Sequence, residues 1–449
     1  MHKHFAVKIS LSLCFSFAVA GCTMYPSGEK AERQAALDAS KPFEHRADNP
    51  PPTLPANPTV DDLIRYALLS NAELEQRYWE WRSAIEQIPQ DGTQATNLAI
   101  SASSTLNNGE FSRNRTTLSA FNDPMADIVW PDKLSTAARR ALDNARAAGL
   151  RFRKAKLDLR AKVLGAYDDY ALTAELTRLE KANGSLLQTT EMFVEARNSS
   201  GTAGQQDLLK VRNELDLSRN DLANLQSQLV SQRATLNALL SREPTAALPV
   251  PSALPVAHSI AYTDSQLLSF VAKQNPELAA LADELKGQEE GIRLAKLQYV
   301  PDFSVSASTD LAGIAQSLSG MITIPLLRHE AIDAAIAQSK ANLNATEAMR
   351  QQTGNDLGQQ VVMDIAEIRN ADRQVAIFTQ MILPRMRQIV VLTRSAYENG
   401  QSSLLEVIDS QKSLIVVERT TAELRVNREK RLSEIEALTG TSLSPGFHS

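Results

Sequence analysis

The chain has 449 residues, a formal net charge of -5, 43% hydrophobic residues and 5% aromatic residues. This length allows two or three domains, and the weak negative charge argues against a nucleic-acid-binding surface, which needs clustered positive charge. Because aromatic residues are scarce, the apolar content is mostly Ala, Leu, Val and Ile, which favours long packed helices over a compact globular core.

The first 21 residues have the pattern of a secretory signal peptide. A start with two lysines is followed by an apolar stretch over residues 9–20 that is too short to span a bilayer. The stretch ends in VAGC at residues 19–22, which resembles the lipobox of bacterial lipoproteins, where the Cys is acylated. An ordinary cleavage site followed by an incidental Cys is the alternative. We therefore predict a lipid on Cys22, and Thr23 after it fits outer-membrane sorting in that lipoprotein pattern.

The segment after the signal peptide is predicted to tie the folded body to the lipid. Cys14 lies inside the signal, so the mature chain is expected to have no disulfide bond. Residues 22–58 are polar and then Pro-rich, with five prolines over residues 49–58. Pro-rich segments are extended and semi-rigid. We interpret residues 22–58 as a lipid-anchored Pro-rich tether.

The remaining sequence contains the same order of predicted elements twice, which indicates a tandem repeat. Repeat 1 covers residues 59–243, a linker covers 244–263, repeat 2 covers 264–440, and a tail covers 441–449. Each repeat is predicted to contain a short helix, two strands, a long helix and a return helix. The short helices contain NAEL at residues 71–74 and NPEL at residues 275–278.

Four predicted strands lie at equivalent places in the repeats, at residues 97–103, 116–130, 302–308 and 316–324. The third is the clearest, because its apolar residues alternate with small polar ones. A strand with one apolar face and one Ser/Thr face suits a barrel wall between lipid and water.

A very long helix is predicted after each strand pair, beginning at Pro131 and at Pro325. At 1.5 Å per residue, about 65 residues make a rod on the order of 100 Å long. Residues 183–185 (Asn-Gly-Ser) and Pro384 lie near the same level of the two rods, so both rods are expected to kink there. Return helices with a heptad pattern of apolar residues follow, and Ser218 and Gln232 interrupt the first pattern.

Three motifs carry a resemblance to the TolC-like outer-membrane efflux protein family, which covers about residues 60–440. They are NPEL at 275–278, IPLL at 324–327 and YENGQSSLLEVIDSQ at 397–411. The resemblance implies a mainly α fold with a small β part: helical hairpins forming a tunnel across the periplasm, and four strands per chain in a twelve-stranded barrel shared by a homotrimer. Four strands alone would leave two open edges in lipid, so membranous strands require oligomerisation.

The same resemblance implies a function and partners. The chain would be the outer-membrane channel subunit of a tripartite efflux pump or type I secretion system in a Gram-negative bacterium. It would be lipid-anchored, with a long periplasmic extension, and would receive substrate from a periplasmic adaptor (a membrane fusion protein) and an inner-membrane transporter. The competing hypothesis is a periplasmic coiled-coil adaptor or scaffold without a pore, which the two strand pairs disfavour.

Glu406 and Asp409 match positions at the family's periplasmic gate. Because they are three residues apart, they share a helix face, and a three-fold axis would stack them as two rings of acids that favour cations. The alternative is that acids at a helix start only stabilise the helix dipole. Asp207 and Tyr397 match positions that hold neighbouring helices shut, but Ser402 replaces the arginine of that network.

The turns around Gly201, Gly204 and Gly400 resemble the tips at which the adaptor docks; tight chain reversal alone is the alternative explanation. The six His residues are scattered and no phosphate loop or catalytic triad is present, so we expect no enzyme activity, no metal site and no cofactor beyond the lipid on Cys22. The transported substrate, whether drug, metal ion, solvent or protein, is not encoded in any of these patterns.

Overall fold

The computed structural model of the chain describes residues 23–44, 53–94, 98–107, 110–120, 129–310, 316–325, 327–440 and 443. Cys22, where the lipid is predicted, lies outside these ranges, as does the C-terminal tail except Leu443. Helices make up most of the described chain, and its strands form one small sheet. The predicted fold class, mainly α with a small β part, is confirmed.

The same order of elements occurs twice, after one preceding helix, α1 (Glu29–Ser40). The first copy contains α2 (Val60–Ser70), α3 (Ala72–Gly92), β1 (Leu98–Asn107), β2 (Glu110–Ala120), α4 (Pro131–Ser199) and α5 (Gln205–Leu239). The second contains α6 (Asp264–Gln274), α7 (Pro276–Leu297), β3 (Asp302–Asp310), β4 (Gln316–Thr323), α8 (His329–Ile377), a π-helical segment (Phe378–Ile382), α9 (Leu383–Glu398) and α10 (Leu404–Thr439). We call α4 with α5 the first hairpin, and α8 through α10 the second hairpin.

Both copies begin with the same local signal, a capping box. The hydroxyl of Thr59 accepts a hydrogen bond from the backbone N–H of Asp62, whose carboxylate accepts one from the N–H of Thr59. Thr263 and Gln266 repeat this exchange at the start of α6. The box satisfies N–H groups that a helix start leaves unpaired, which explains where α2 and α6 begin.

In each copy an equivalent hydrogen bond joins the first helices to the end of the return helix. The Asn71 side chain donates to the carbonyl of Leu239 at 2.9 Å, and the Asn275 side chain donates to the carbonyl of Leu438 at 2.9 Å. Both asparagines are buried, and each carbonyl belongs to the last turn of a return helix. The first residue of the NAEL and NPEL motifs therefore ties the entry of a copy to that copy's own end.

The four strands form an antiparallel sheet in the order β1-β2-β3-β4. β1 pairs with β2 with a bulge between Thr105 and Leu106, and β3 pairs with β4. The β2–β3 pairing, in which Thr117 lies opposite Asp310, joins the two copies. Within the described residues β1 and β4 each pair on one side only, so the sheet has two open edges.

Three of the predicted strands lie close to their expected ranges, and the second is displaced. β2 ends at Ala120, whereas the prediction ran to residue 130, and Trp130 is not in a strand. The prediction followed the apolar residues before Pro131. The pairing determines the strand instead: Asn107 lies opposite Glu110, so only two residues separate β1 from β2, a spacing typical of a tight hairpin.

The chain divides into two compact units, and each contains pieces of both copies. One unit holds the described parts of Met1–Lys41, Arg77–Arg151 and Glu277–Gln352, and the other holds those of Pro42–Gln76, Phe152–Pro276 and Thr353–Ser449. The divisions fall at matching places in the two copies. A compact unit is thus built from equivalent parts of both copies.

In the first unit, the segment predicted as an extended tether over residues 22–58 contains the helix α1. Trp81 on α3 donates its indole N–H to Glu32 on α1 at 2.8 Å, and Arg33 on α1 pairs with Glu86 on α3 at 2.8 Å. The prediction missed this helix because its composition is polar and charged, and those charged side chains are the ones that contact α3. The segment is therefore partly folded onto α3.

In the second unit, α6, α8 and α10 share an apolar cluster. Its buried members are Leu267, Val271, Val361, Ile365, Ile368, Leu432, Ile435 and Leu443. Ile435 belongs to the heptad pattern of the second return helix and is fully buried, as a seam residue should be.

The two long helices differ at the level where both were expected to kink. The second is interrupted by the π-helical segment Phe378–Ile382, with Pro384 in the first turn of α9; π-helical turns and prolines are ordinary causes of kinks. The first continues as an α-helix through residues 183–185 without interruption, from Pro131 to Ser199. The two copies are therefore not equivalent here.

Candidate functional site

The two hairpin tips lie in the second unit and reverse the chain through glycines. Gly201 has φ +73° and Gly400 has φ +74°, a conformation that other residues rarely adopt. An added Cβ at either position would meet no heavy atom within 4 Å, so backbone conformation rather than space requires glycine. Gly204 has an extended backbone and is the N-cap of α5. All three are exposed, so chain reversal explains Gly201 and Gly400 and leaves their surfaces accessible.

Behind the turns, the tips of the first and second hairpins pack against each other. The shared cluster of buried side chains is Val194, Val211, Tyr397, Leu404, Val407 and Ile408. Phe193 on α4 meets Tyr397 on α9 edge to face, with the ring centroids 5.9 Å apart. Burial of these side chains away from water fixes the two tips relative to each other.

Glu406 and Asp409 lie on the opposite face of α10 from this cluster, and both are exposed. Ser403 is the N-cap and accepts a hydrogen bond from the N–H of Glu406 at 3.3 Å. The Ser402 hydroxyl donates to the Glu406 carboxylate. Glu406 lies in the first turn, where the helix dipole favours an acid, whereas Asp409 lies beyond it. The dipole explanation therefore accounts for Glu406 better than for Asp409.

Tyr397 is 6% exposed, and within the described chain its hydroxyl is buried without a hydrogen-bond partner. Burial raises the pKa of Tyr397; the Arg197 cation opposes that shift and the Asp207 charge adds to it. Asp207 on α5 is thus electrostatically close to Tyr397, as the resemblance implies. The structure places both beside the tip cluster, while Glu406 and Asp409 face away from it.

Arg197, which the sequence analysis did not single out, contacts residues of both tips. Its guanidinium donates to the carbonyl of Tyr397 at 2.9 Å and lies 5.1 Å from the centroid of the Tyr397 ring and 5.9 Å from that of Phe193. A second N–H lies 3.5 Å from the carbonyl of Thr202. Arg197 therefore belongs to the first hairpin and contacts the end of α9 in the second.

Further along the hairpins, basic residues of α10 pair with acids of the first hairpin. Lys412 pairs with Glu214 on α5 at 2.8 Å. One heptad later, Arg419 pairs with Glu180 on α4, whose side chain is 3% exposed. Glu180 also accepts a hydrogen bond from Ser218. The sequence contained one signal for the Glu180 site, because Ser218 interrupts the apolar heptad pattern of α5. Its hydroxyl is the hydrogen-bond donor that the buried Glu180 carboxylate needs.

Farther from the tips, a buried charge cluster joins α4, α10 and the linker between the copies. Lys430 pairs with Asp169 at 2.9 Å, and His258 of the linker lies 2.9 Å from Glu429. Burial raises the pKa of Asp168 to about 7, with repulsion from Glu429 and Asp169 adding to the shift and Lys430 opposing it. The described residues contain no group of His, Cys, Asp or Glu side chains suited to a metal ion.

The hairpins and the sheet together define a class of fold, that of the TolC-like outer-membrane channels. The open-state MtrE outer membrane channel of Neisseria gonorrhoeae superposes with a TM-score of 0.74 at 18% identity, covering 88% of this chain and 92% of MtrE. At this identity the likeness concerns the fold.

Sequence comparison adds the family. Residues 267–441 match the protein family described as outer membrane efflux protein. The cation efflux system protein CusC of Escherichia coli O157:H7 is 24% identical over 271 residues, covering 56% of this chain and 56% of CusC, so the match spans about half of CusC. SilC of Salmonella typhimurium, a probable outer membrane lipoprotein, is 24% identical over 401 residues, covering 85% of each chain. The predicted resemblance to the outer membrane efflux protein family is confirmed over residues 267–441, and the predicted outer-membrane location is confirmed.

Proposed function

We propose that the chain is the outer-membrane channel subunit of a tripartite efflux pump or type I secretion system. The observation that carries this proposal is the sheet with open edges at β1 and β4. In lipid, unpaired backbone groups along those edges would be prohibitive, and closing the sheet with further copies removes them. Three copies give a twelve-stranded barrel, and their helical hairpins are proposed to form a tunnel.

The exposed apolar surface of the second hairpin supports assembly. The helical stretch His329–Glu398 is, among the described residues, the one long and apolar enough to cross a membrane, yet only 6% of its most apolar window is buried within the chain. Its exposed side chains include Ile389, Val391 and Leu392, the last two at 67%. Neighbouring copies would cover this surface, because a contiguous apolar patch on a water-soluble tunnel marks an interface.

The competing hypothesis, an adaptor or scaffold without a pore, is less well supported. It provides no role for a strand pair before each hairpin, or for the strand pairing that joins the two copies. The family match also favours the channel. In the proposed complex a periplasmic adaptor docks at the exposed tips around Gly201, Gly204 and Gly400 and connects an inner-membrane transporter. No catalytic role is proposed.

Glu406 and Asp409 are proposed to line the periplasmic gate, with Asp207 and Tyr397 in the contact that holds neighbouring helices shut. The exposure of both acids on one face of α10 supports this assignment. On a three-fold axis they would form two rings of three carboxylates, which favour cations at a constriction.

The test is to reconstitute the purified full-length protein in planar bilayers. We expect stable trimers that conduct ions; a monomeric product without conductance would contradict the channel. Changing Glu406→Gln and Asp409→Asn together should reduce cation selectivity and block by divalent cations. The matched control is Asp216→Asn with Asp221→Asn, two exposed acids of α5. Equal selectivity in the two double variants would leave the helix dipole as the role of the gate acids.

The lipid anchor is proposed to be a covalent acyl chain on Cys22, the only cofactor-like group in the proposal. The name of SilC as a probable outer membrane lipoprotein supports it. Thr23, the next residue, forms an isolated bridge with Thr93. Cys22→Ser should abolish incorporation of labelled palmitate, and persistent labelling would show that another residue carries the lipid.

A further inference from the structure

We infer that Arg197 is the latch that holds the two hairpin tips of one subunit together and thereby keeps the proposed gate closed. The inference rests on the proposed channel function and assigns a role to a residue outside the predicted gate.

The first argument is where the guanidinium lies. The carbonyl of Tyr397 belongs to the last turn of α9, at the negative end of the helix dipole, and it also accepts a hydrogen bond from the N–H of Gly400 at 3.0 Å. Arg197, from the last turn of α4, donates to that carbonyl at 2.9 Å. A cation from the first hairpin therefore caps the C-terminus of a helix in the second hairpin, which is a favourable and directional contact.

The second argument is the aromatic surroundings of Arg197. Its guanidinium carbon lies 5.9 Å from the Phe193 ring centroid and 5.1 Å from that of Tyr397, both within the range of cation–π attraction. The two rings also contact each other. One ring belongs to each hairpin. Separating the tips would therefore break the Arg197 hydrogen bond, the edge-to-face ring contact and the cation–π contact with Tyr397 at the same time.

The third argument is that Tyr397 contributes its ring and carbonyl rather than its hydroxyl. The hydroxyl is buried and has no hydrogen-bond partner within the described chain. A latch built on that hydroxyl would need a hydrogen-bond partner, which this arrangement of the described residues does not provide. Ser402 makes no such contact, since it lies in the turn before α10 and its hydroxyl donates to Glu406 of that helix.

A matched control residue lies on the same hairpin. Arg212 on α5 pairs with Glu191 at 2.8 Å and Glu195 at 3.1 Å, both on α4. Its contacts stay within the first hairpin, whereas those of Arg197 reach the second. Removing either arginine deletes one positive charge near the tips, so a difference between the two variants reports the contact between hairpins.

The experiment measures open probability of the full-length protein in planar bilayers. Arg197→Ala should raise open probability about tenfold, the change in an equilibrium that follows from losing one charge-assisted hydrogen bond. Arg212→Ala should match the wild type. Arg197→Lys keeps the positive charge without the planar guanidinium, and its open probability should lie between those of Arg197→Ala and the wild type. Tyr397→Phe keeps the ring and should change gating less than Tyr397→Leu does. An open probability for Arg197→Ala no higher than for Arg212→Ala would overturn the latch.

Hydrogen exchange of the purified trimers separates failure of the latch from failure of the channel. Faster hydrogen exchange at residues 393–411 in Arg197→Ala, but not in Arg212→Ala, would support the latch. If no variant conducted, only the channel proposal would be removed. Conductance in every variant with equal gating and equal exchange would retain the channel and refute the latch. A fall in melting temperature without a change in gating would also refute it, because Arg197 would then be only structural.

Discussion

The two hairpins belong to equivalent copies of one repeat, yet the middle sections of their long helices have different structures. In the first, α4 runs unbroken from Pro131 to Ser199, and its buried Glu180 pairs with Arg419 of the second hairpin. In the second, the π-helical segment Phe378–Ile382 has no buried residue, and the nearby Arg387–Glu418 pair is largely exposed on the arginine side. At this level the first hairpin has an unbroken helix with a buried carboxylate, whereas the second has an irregular helical turn without buried residues. A duplicated fold can therefore keep its element order while its two copies differ in local helix geometry.

The largest predicted effect comes from removing the cation of the buried pair. Arg419→Leu leaves the carboxylate of Glu180 in a site where its side chain is 3% exposed, and an uncompensated buried charge is strongly destabilising. Because the Arg419 side chain is 31% exposed, we expect a loss of about 2 to 3 kcal/mol, less than for a fully buried pair. The measurement is the apparent melting temperature of the trimer.

The control for that prediction is an exposed ion pair within the second hairpin, to which Arg419 also belongs. Arg387→Ala removes a pair whose arginine side chain is 64% exposed, and exposed pairs contribute about 0 to 1 kcal/mol. If Arg387→Ala and Arg419→Leu lowered the melting temperature equally, the proposed difference between the exposed pair and the buried pair would be wrong.

A smaller, pH-dependent effect is expected at Asp168, where α4 faces α10. Because burial raises the pKa of Asp168 to about 7, the folded state holds a proton that the unfolded state loses near its ordinary pKa of 3.8. Stability should therefore fall as pH rises from about 4 to about 7 and stay low above that. Asp168→Asn should stabilise the protein by on the order of 1 to 2 kcal/mol at pH 8, and not at pH 4.

Melting curves across this pH range check the prediction for Asp168. Asp158→Asn serves as the control, since Asp158 lies on the same helix and is 38% exposed in a pair with Lys154. A gain at pH 8 that persisted at pH 4 would show that the substitution improves packing rather than removing a buried charge.

The smallest predicted effect concerns a feature that the two copies share, the hydrogen bond between the start and the end of each copy. Asn71→Ala and Asn275→Ala each remove a 2.9 Å hydrogen bond to the end of a return helix. Each should cost about 1 kcal/mol, the usual contribution of a buried hydrogen bond. Melting temperatures that fell by clearly different amounts would show that the copies close with unequal strength.

The sequence predicted the repeat, the long helices and the tips because these depend on local signals: heptad spacing, prolines before the rods and glycines at the turns. It placed β2 incorrectly because strand limits depend on pairing with β1, and it missed α1 because a charged helix carries no apolar stripe to detect. At the site, the residues carried over from the family were found beside the tips. Arg197 and the Glu180–Arg419 pair were not predicted, because contacts between residues about 200 positions apart leave no spacing pattern in the sequence.

The two closing hydrogen bonds set an order for assembly of the chain. The bond from Asn71 needs only the residues up to Leu239, so it can form when little more than half of the chain is available for folding. The bond from Asn275 needs Leu438, close to the C-terminus, and the pairing of β2 with β3 needs both copies. Because non-local contacts form only after their partners are available, truncation near the C-terminus should leave the first copy closed and the second open.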